Sequence, residues 1–337
     1  MGPDEFAYDL PEAAIGQVPL ADRAAARLLV DMGDGPQHLT VADLATLVGP
    51  GDLLVVNDTR VLPARLRLRR DTGGAVEVLL LEPVDRADTD FAGRWLALVR
   101  PSRRVPCGTS LSAGDDLVVT VEDDLGDGRR VVRLDAPDGV LSAVSHHGEM
   151  PLPPYLTTPL DDPERYQTVY SDRPASAAAP TAGLHLTEEV LDDCRAAGAR
   201  IERLELVVGL DTFRPVTVEN LDDHEMHTEA YSVPPATLDA CREADRVIAV
   251  GTTTVRALES VSANGPTGRT DLFIRPGYEF GVVDVLMTNY HLPGSTLLVM
   301  LEAFVGPRWR DLYALALAEG YRFLSFGDAM FVSRATP

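Results

Sequence analysis

The chain has 337 residues, 45% of them hydrophobic, and its 52 acidic side chains outnumber 30 basic ones for a formal charge of −22. That content is ample for one large or two medium buried cores, while the acidity argues against broad polyanion binding and leaves room only for local basic patches such as "ARLRLRR" (64–70) and "RPSRR" (100–104). Cys107, Cys194 and Cys241 lie far apart with no CxxC pair, and no apolar run reaches the roughly 18 residues of a membrane span, so neither a disulfide framework, a cysteine-rich zinc site nor a membrane segment is expected.

The N-terminal "MGPDEFAYDL" is acidic and lacks the basic and apolar regions of a signal peptide, which predicts a soluble cytoplasmic protein. "TVADLATLVG" from Thr40 reads as a short helix, with Thr40 as N-cap, Asp43 three residues on and Gly49 at its stop. "DLLVVNDTR" (52–60) reads as a buried strand running into a polar loop. From about 65 to 150 the character changes to short β-type runs separated by Gly/Asp turns, including "GDG" at 126–128.

Beyond 151, strand and helix patterns alternate. Residues 187–198 read as a helix, 200–209 as a strand, 234–244 as a helix and 246–251 as a strand. A helix over "TTVRALESV", a strand over 282–290 and an apolar helix over 295–306 follow, the last opened by Ser295 and closed by Gly306. The expected fold class is α/β: a discontinuous α/β domain (1–64 and 151–337) carrying the active site, with an all-β domain inserted over 65–150.

Several strands end in polar clusters, where open α/β sheets hold their ligands. Asn57, Asp58, Thr59 and Arg60 follow the first strong strand, with an Asx-type turn as the plain alternative. "AVGTTTVR" (249–256) offers a glycine turn and a helix start suited to a carboxylate or phosphate, but it has neither a P-loop lysine nor the glycines of a dinucleotide fingerprint. "HEMHTE" groups His224, His227 and Glu229, a weak zinc signal without HExxH. "MTNYHLPGS" places Asn289 and His291 after a strand and before a capped helix. "APTAGLH" (179–185) combines small residues with a histidine, as would suit either a turn or a wall that lets a ligand approach the backbone. No GxSxG elbow or activated cysteine points to covalent catalysis.

The motifs "YDLPEAAIGQVPLADRAAARLLV", "NDTRVLPARL", "GEMPLPPYL", "DPERYQTVY", "APTAGLHLT", "GLDTFRPV", "HTEAYSV", "VIAVGTTTVRALES", "TDLFIRPGYEF", "VVDVLMTNYHLP" and "YRFLSFGDAM" resemble, in that order from about residue 6 to 332, the queuosine-biosynthesis S-adenosylmethionine:tRNA ribosyltransferase-isomerase family. The resemblance implies an α/β domain with an inserted β-barrel. It also implies transfer of the ribosyl part of S-adenosylmethionine, the co-substrate, to 7-aminomethyl-7-deazaguanine in tRNA. The ribosyl part is rearranged to an epoxycyclopentane, and adenine and methionine leave; no metal is implied.

Such chemistry needs a base for the hydrogens beside the sulfonium, a neutral acceptor amine and a proton for departing adenine. On the matching positions, the resemblance makes His185 the first candidate for base or amine positioning, with Thr181 and Gly183 shaping the ligand wall and Asp58 as a further catalytic candidate; Asp211, which departs from the family pattern, is a catalytic candidate for its own carboxylate, which could stabilise the sulfonium or accept a proton. Arg60, Arg214, His227, Glu229, Thr252, Thr253, Asn289 and His291 become candidates for holding substrate groups.

The chain departs from the family pattern at Val207, for a histidine, and at Asp211, for a glycine. Leu186 and Gly281 stand where phenylalanine and lysine are usual, and Gly294 where lysine or glutamate is frequent. With the −22 charge setting a tRNA partner in question, these departures raise a second reading: a divergent enzyme using S-adenosylmethionine on a small molecule or for a different rearrangement or elimination, without tRNA. A binding protein that keeps the fold is a third.

Overall fold

The structure, a computed structural model, describes residues 1–84, 93–209, 216 and 218–335. Two compact units emerge. One comprises Met1–Thr59, Pro154–Arg173 and Ala179–Pro337; the other comprises Arg60–Pro153 and Pro174–Ala178.

The first unit opens with β1 (Arg27–Asp31), β2 (Gln37–Thr40) and β3 (Asp52–Asn57). Between β2 and β3 the helix anticipated at Thr40 is a 3-10 helix, Val41–Thr46, started by the Thr40–Asp43 capping box. β3 is buried at all six positions, as a strand covered on both faces must be.

The second unit contains β4 (Arg60–Val61), β5 (Arg65–Arg70), β6 (Ala75–Pro83), β7 (Arg94–Arg100), β8 (Ser110–Ala113), β9 (Leu117–Gly126) and β10 (Arg129–Asp135). It ends in α1 (Val140–His147), β11 (Gly148–Glu149) and β12 (Pro174–Ser176). The antiparallel order β5-β6-β7-β10-β9-β8 closes through β5–β8 pairing into a six-stranded barrel, and β11 pairs with β5. Alternation along β7, with Trp95, Ala97 and Val99 buried, fills the interior. The short piece 174–178 belongs with this unit because β12 pairs with β4.

The first unit resumes with α2 (Glu188–Ala196), β13 (Arg200–Leu206), β14 (Glu229–Ser232), α3 (Pro235–Glu243), β15 (Arg246–Val250) and α4 (Thr252–Asn264). β16 (Thr267–Thr270), β17 (Val285–Asn289), α5 (Thr296–Val305), α6 (Trp309–Ala318) and β18 (Ala329–Ser333) complete it. Its nine-stranded sheet runs β16-β14-β13-β3-β15-β17-β18-β1-β2. The four central strands β13, β3, β15 and β17 are parallel, while β18 is antiparallel to β17 and parallel to β1. Thr187 caps α2 through Val190 N–H, and Ser295 caps α5 through Leu298 N–H. A core of Leu28, Val30, Leu54, Val56, Ile248, Val250, Met287 and Phe331 from the sheet packs against Leu186, Val190 and Leu191. No helix among the described residues is long and apolar enough to cross a membrane.

Candidate active site

The parallel strands deliver their carboxyl ends to one edge of the sheet, and a cleft of about 570 Å³, open solvent at its mouth included, lies there. Val208 follows β13, Gly251 follows β15, Thr288 and Asn289 end β17, and Leu324 and Ser325 precede β18. Gly251 takes a left-handed φ of 92° that turns the chain from β15 into α4, so the first N–H groups of that 13-residue helix stand at the cleft with Thr252 and Thr253. Asn57, fully buried at the end of β3, accepts the N–H of Leu206 and Thr59 and donates to Thr253 Oγ1 at 3.3 Å. The Asx-type turn is therefore real, and it also fixes the cleft floor.

The 3-10 turn Thr181–His185 brings the "APTAGLH" segment onto β17. Asn289 organises it. Its Oδ1 accepts the Thr181 hydroxyl at 2.9 Å, and its Nδ2 donates to the Asp328 carbonyl at 3.3 Å and meets His185 Nε2 at 2.9 Å. Because the Asp328 carbonyl can only accept, the Asn289 amide orientation is fixed, and His185 Nε2 must be an acceptor with its proton on Nδ1. Burial, with Arg322 and Arg23 beside it, pushes His185 down to about 4. It is a neutral imidazole that faces the cleft only through Asn289; its own ring lines a smaller recess with Arg23, Arg165 and Arg322.

His291 lines the cleft, is pushed down to about 3 by burial and pairs with Thr288 Oγ1 at 3.2 Å. Asp58 lies one residue beyond Asn57 and is not among the cleft-lining residues. Burial, then the nearby Glu205, pushes its carboxyl up to about 6 against the pull of Arg203. Among the sequence candidates, Thr181, Thr252, Thr253, Asn289 and His291 thus come together at the cleft, with His185 directly behind.

Other candidates are placed elsewhere. Gly183 is not among the cleft-lining residues, and a Cβ there would run into Tyr170 Oη, so the missing side chain makes room for a buried tyrosine. Arg60 starts β4 of the barrel unit. Glu229 is buried in an ion pair with Arg256 and also accepts Gly209 N–H at 3.0 Å, which commits its carboxylate to holding the chain after Val208. His227 is exposed, and His224 packs its ring against Phe273. Asp211 and Arg214 lie outside the described residues. Among the described residues the one trio of His and carboxylate groups close enough to share an ion is Asp116, His146 and His147 in the barrel unit, not "HEMHTE".

The departures at Val207, Leu186 and Gly294 have local explanations. Val207 N–H continues the pairing to β14 through the Ala230 carbonyl, Leu186 is core, and Gly294 has a φ of 65°. Gly281 donates its N–H to Glu259, whose carboxylate also accepts those of Val282 and Val283. In the first arginine-rich stretch, 64–70, Arg65 pairs with Glu77 at 2.9 Å and Arg67 with Glu149 at 2.7 Å. Sequence reasoning missed Arg23, Arg165 and Arg322 as site-forming groups, since their convergence is tertiary, whereas Asn57 stands in the polar cluster that the sequence marks after β3.

An open α/β sheet with a hydroxyl- and amide-lined cleft at its carboxyl edge defines an enzyme architecture of the small-ligand type. The chain belongs to the family described as "Queuosine biosynthesis protein", whose model matches residues 3–332. It is 48% identical over 336 residues to the S-adenosylmethionine:tRNA ribosyltransferase-isomerase of Rubrobacter xylanophilus, covering 98% of both chains. It is 44% identical over 346 residues to the protein of that name from Staphylococcus epidermidis, covering 98% of this chain and 100% of the other. The crystal structure of S-adenosylmethionine tRNA ribosyltransferase from Thermotoga maritima is similar with a TM-score of 0.55 and 33% identity, over 97% of this chain and 99% of that one.

Proposed function

We infer that this chain is a cytoplasmic S-adenosylmethionine:tRNA ribosyltransferase-isomerase, moving the ribosyl part of S-adenosylmethionine to the aminomethyl group of 7-aminomethyl-7-deazaguanine in tRNA and releasing adenine and methionine. The observation that carries this reading is near-complete likeness to relatives of that name, joined to a strand-end cleft lined by Thr181, Thr252, Thr253 and Asn289. Against the small-molecule alternative stands the 44–48% identity over nearly the whole chain to relatives of that name; of the departures that raised it, Val207, Leu186 and Gly294 are accommodated by backbone pairing, core packing and backbone angle.

In this reading S-adenosylmethionine occupies the cleft, with its carboxylate at the N-terminus of α4, where free N–H groups and the helix dipole favour an anion. Small and apolar walls at Ala179, Ala182 and Leu292 admit the adenine and ribose. Asn289 orients the Thr181 hydroxyl, whose oxygen is left to accept from a ribose hydroxyl, and His185 is the positioning residue that fixes Asn289 from behind. Asp58, ionised at neutral pH yet more basic than an ordinary aspartate, stands one residue beyond Asn57 and outside the cleft lining, so it is assigned to the proton of the incoming acceptor amine and not to the carbon beside the sulfonium. The test is Asn289→Ala and Asp58→Asn assayed for tRNA-dependent adenine release: both lose turnover in this reading, and full activity in both would remove the site assignment.

A further inference from the structure

We propose that the recess on the far side of His185, lined by Arg23, Arg165 and Arg322, is an oxyanion site that grips a backbone phosphate of the tRNA. The inference rests on the tRNA reading above for its source of phosphate, and on the recess itself for its chemistry.

In a chain with 52 acidic residues, three guanidiniums and a histidine converge on a space of about 260 Å³, open solvent at its mouth included, and none of the residues lining it is acidic. The cations come from three distant segments. Their positions are built rather than incidental: Arg23 Nη1 donates to the carbonyls of Gln167 and Leu184 at 2.7 and 3.2 Å, and Arg165 donates to those of Leu20 and Ala21. Neutral carbonyls orient these groups without neutralising them. Asp162 and Glu164 act on Arg23 from outside the recess, and Glu164 meets it through its backbone carbonyl. Arg165 Nε is buried with no hydrogen-bond partner, a donor left over after the backbone contacts are made. Arg322 is held by one side-chain bond, from Nη1 to the Val18 carbonyl at 3.2 Å, which leaves most of its planar fork for a ligand.

Ser325 lines both the recess and the cleft, so an anion bound here lies next to the reacting groups. The carboxylate of S-adenosylmethionine already has a place at α4, whereas the RNA, which brings the acceptor base to the cleft, has phosphates on either side of that base. A localised cationic recess also resolves how an acidic protein holds RNA: the charge needed is concentrated where the nucleotide must sit.

Arg322→Gln is the informative variant, because Arg322 has the fewest structural ties, and Arg322→Lys keeps the charge. Binding of tRNA carrying the aminomethyl base is measured by fluorescence anisotropy over a salt series, and S-adenosylmethionine binding by calorimetry. Arg322→Gln is expected to weaken tRNA binding on the order of tenfold and to lower the slope of log Kd against log salt by about 1, with S-adenosylmethionine binding unchanged and Arg322→Lys largely restored. Loss of S-adenosylmethionine affinity with tRNA affinity intact would overturn the RNA assignment and give the site to the carboxylate. No change in either would overturn the oxyanion site altogether.

A second readout is independent of turnover. Inorganic phosphate added to the wild-type protein is expected to shift the His185 ring resonances, and to do so far less in Arg322→Gln. A wild-type enzyme that shows this shift but does not modify tRNA would sink the functional reading alone.

Discussion

Asn289 Nδ2 donates to His185 Nε2 at 2.9 Å across 104 residues of sequence, and this one bond determines which nitrogen of the histidine carries its proton. The same amide holds the Thr181 hydroxyl, so the histidine, the amide and the threonine act as one unit at the wall of the cleft.

Asn289→Asp replaces a donor by a carboxylate against that buried imidazole. The new charge favours the imidazolium, so His185 rises from about 4, and the ring proton arrangement changes. Turnover is expected to fall about 10- to 100-fold through misplacement of the Thr181 hydroxyl. NMR of the histidine ring nitrogens checks the first effect and steady-state kinetics the second; an unshifted His185 would show that the bond does not govern it.

His185 and His291 are pushed down to about 4 and about 3, from an unfolded value near 6.5. The unfolded chain therefore takes up protons below about pH 6.5 that the native state refuses. Their contribution to stability is constant above that pH and falls as pH drops towards 4, by at most about 1.4 kcal/mol per pH unit for each ring. His185→Gln keeps an acceptor for Asn289 and removes one titration. Urea unfolding between pH 7 and pH 4.5 should have a shallower pH dependence in the variant, and parallel curves would refute the buried neutral histidine.

Asp58 shifts the other way. Raised to about 6 from an unfolded value near 3.9, it costs stability as pH climbs from 3.9 through 6, because the folded state resists its ionisation. Asp58→Asn is thus expected to be more stable than wild type at pH 8. If Asp58 is the proton acceptor, the variant also loses about 10²- to 10⁴-fold in kcat, together with the rising limb near pH 6 in the wild-type rate profile. Melting temperature and pH-rate profile move in opposite senses only if the carboxylate serves function at the expense of folding.

Gly183→Ala sets a methyl group against the buried Tyr170 hydroxyl and is expected to cost about 1–3 kcal/mol. Tyr170→Phe removes the atom that clashes, so the double variant should recover part of that loss. Chemical denaturation of the four proteins in the cycle measures the coupling, and strict additivity would place Gly183 in a different role.

The strand ends were legible in the sequence because β3, β15 and β17 are continuous apolar runs that stop at Asn57, Gly251 and Asn289. The caps at Thr40 and Ser295 were equally plain, since a capping side chain is a local signal. β14, β16 and β18 were not legible. They have four or five residues each, and their pairing is set by neighbours far along the chain. The roles of Gly183, Glu229 and the three arginines were hidden for the same reason. A glycine that makes way for Tyr170 looks like one that makes way for a ligand, and Glu229 is indistinguishable from an exposed carboxylate until Arg256 is folded against it.

The most direct test of the central claim is to incubate the purified protein with S-adenosylmethionine, with and without tRNA bearing 7-aminomethyl-7-deazaguanine, and to follow adenine, methionine and RNA mass together by mass spectrometry. The account predicts adenine and methionine release only with the tRNA, matched by a ribosyl-derived mass gain on the RNA. Release of adenine without tRNA, or consumption of S-adenosylmethionine that leaves the RNA mass unchanged, would contradict it.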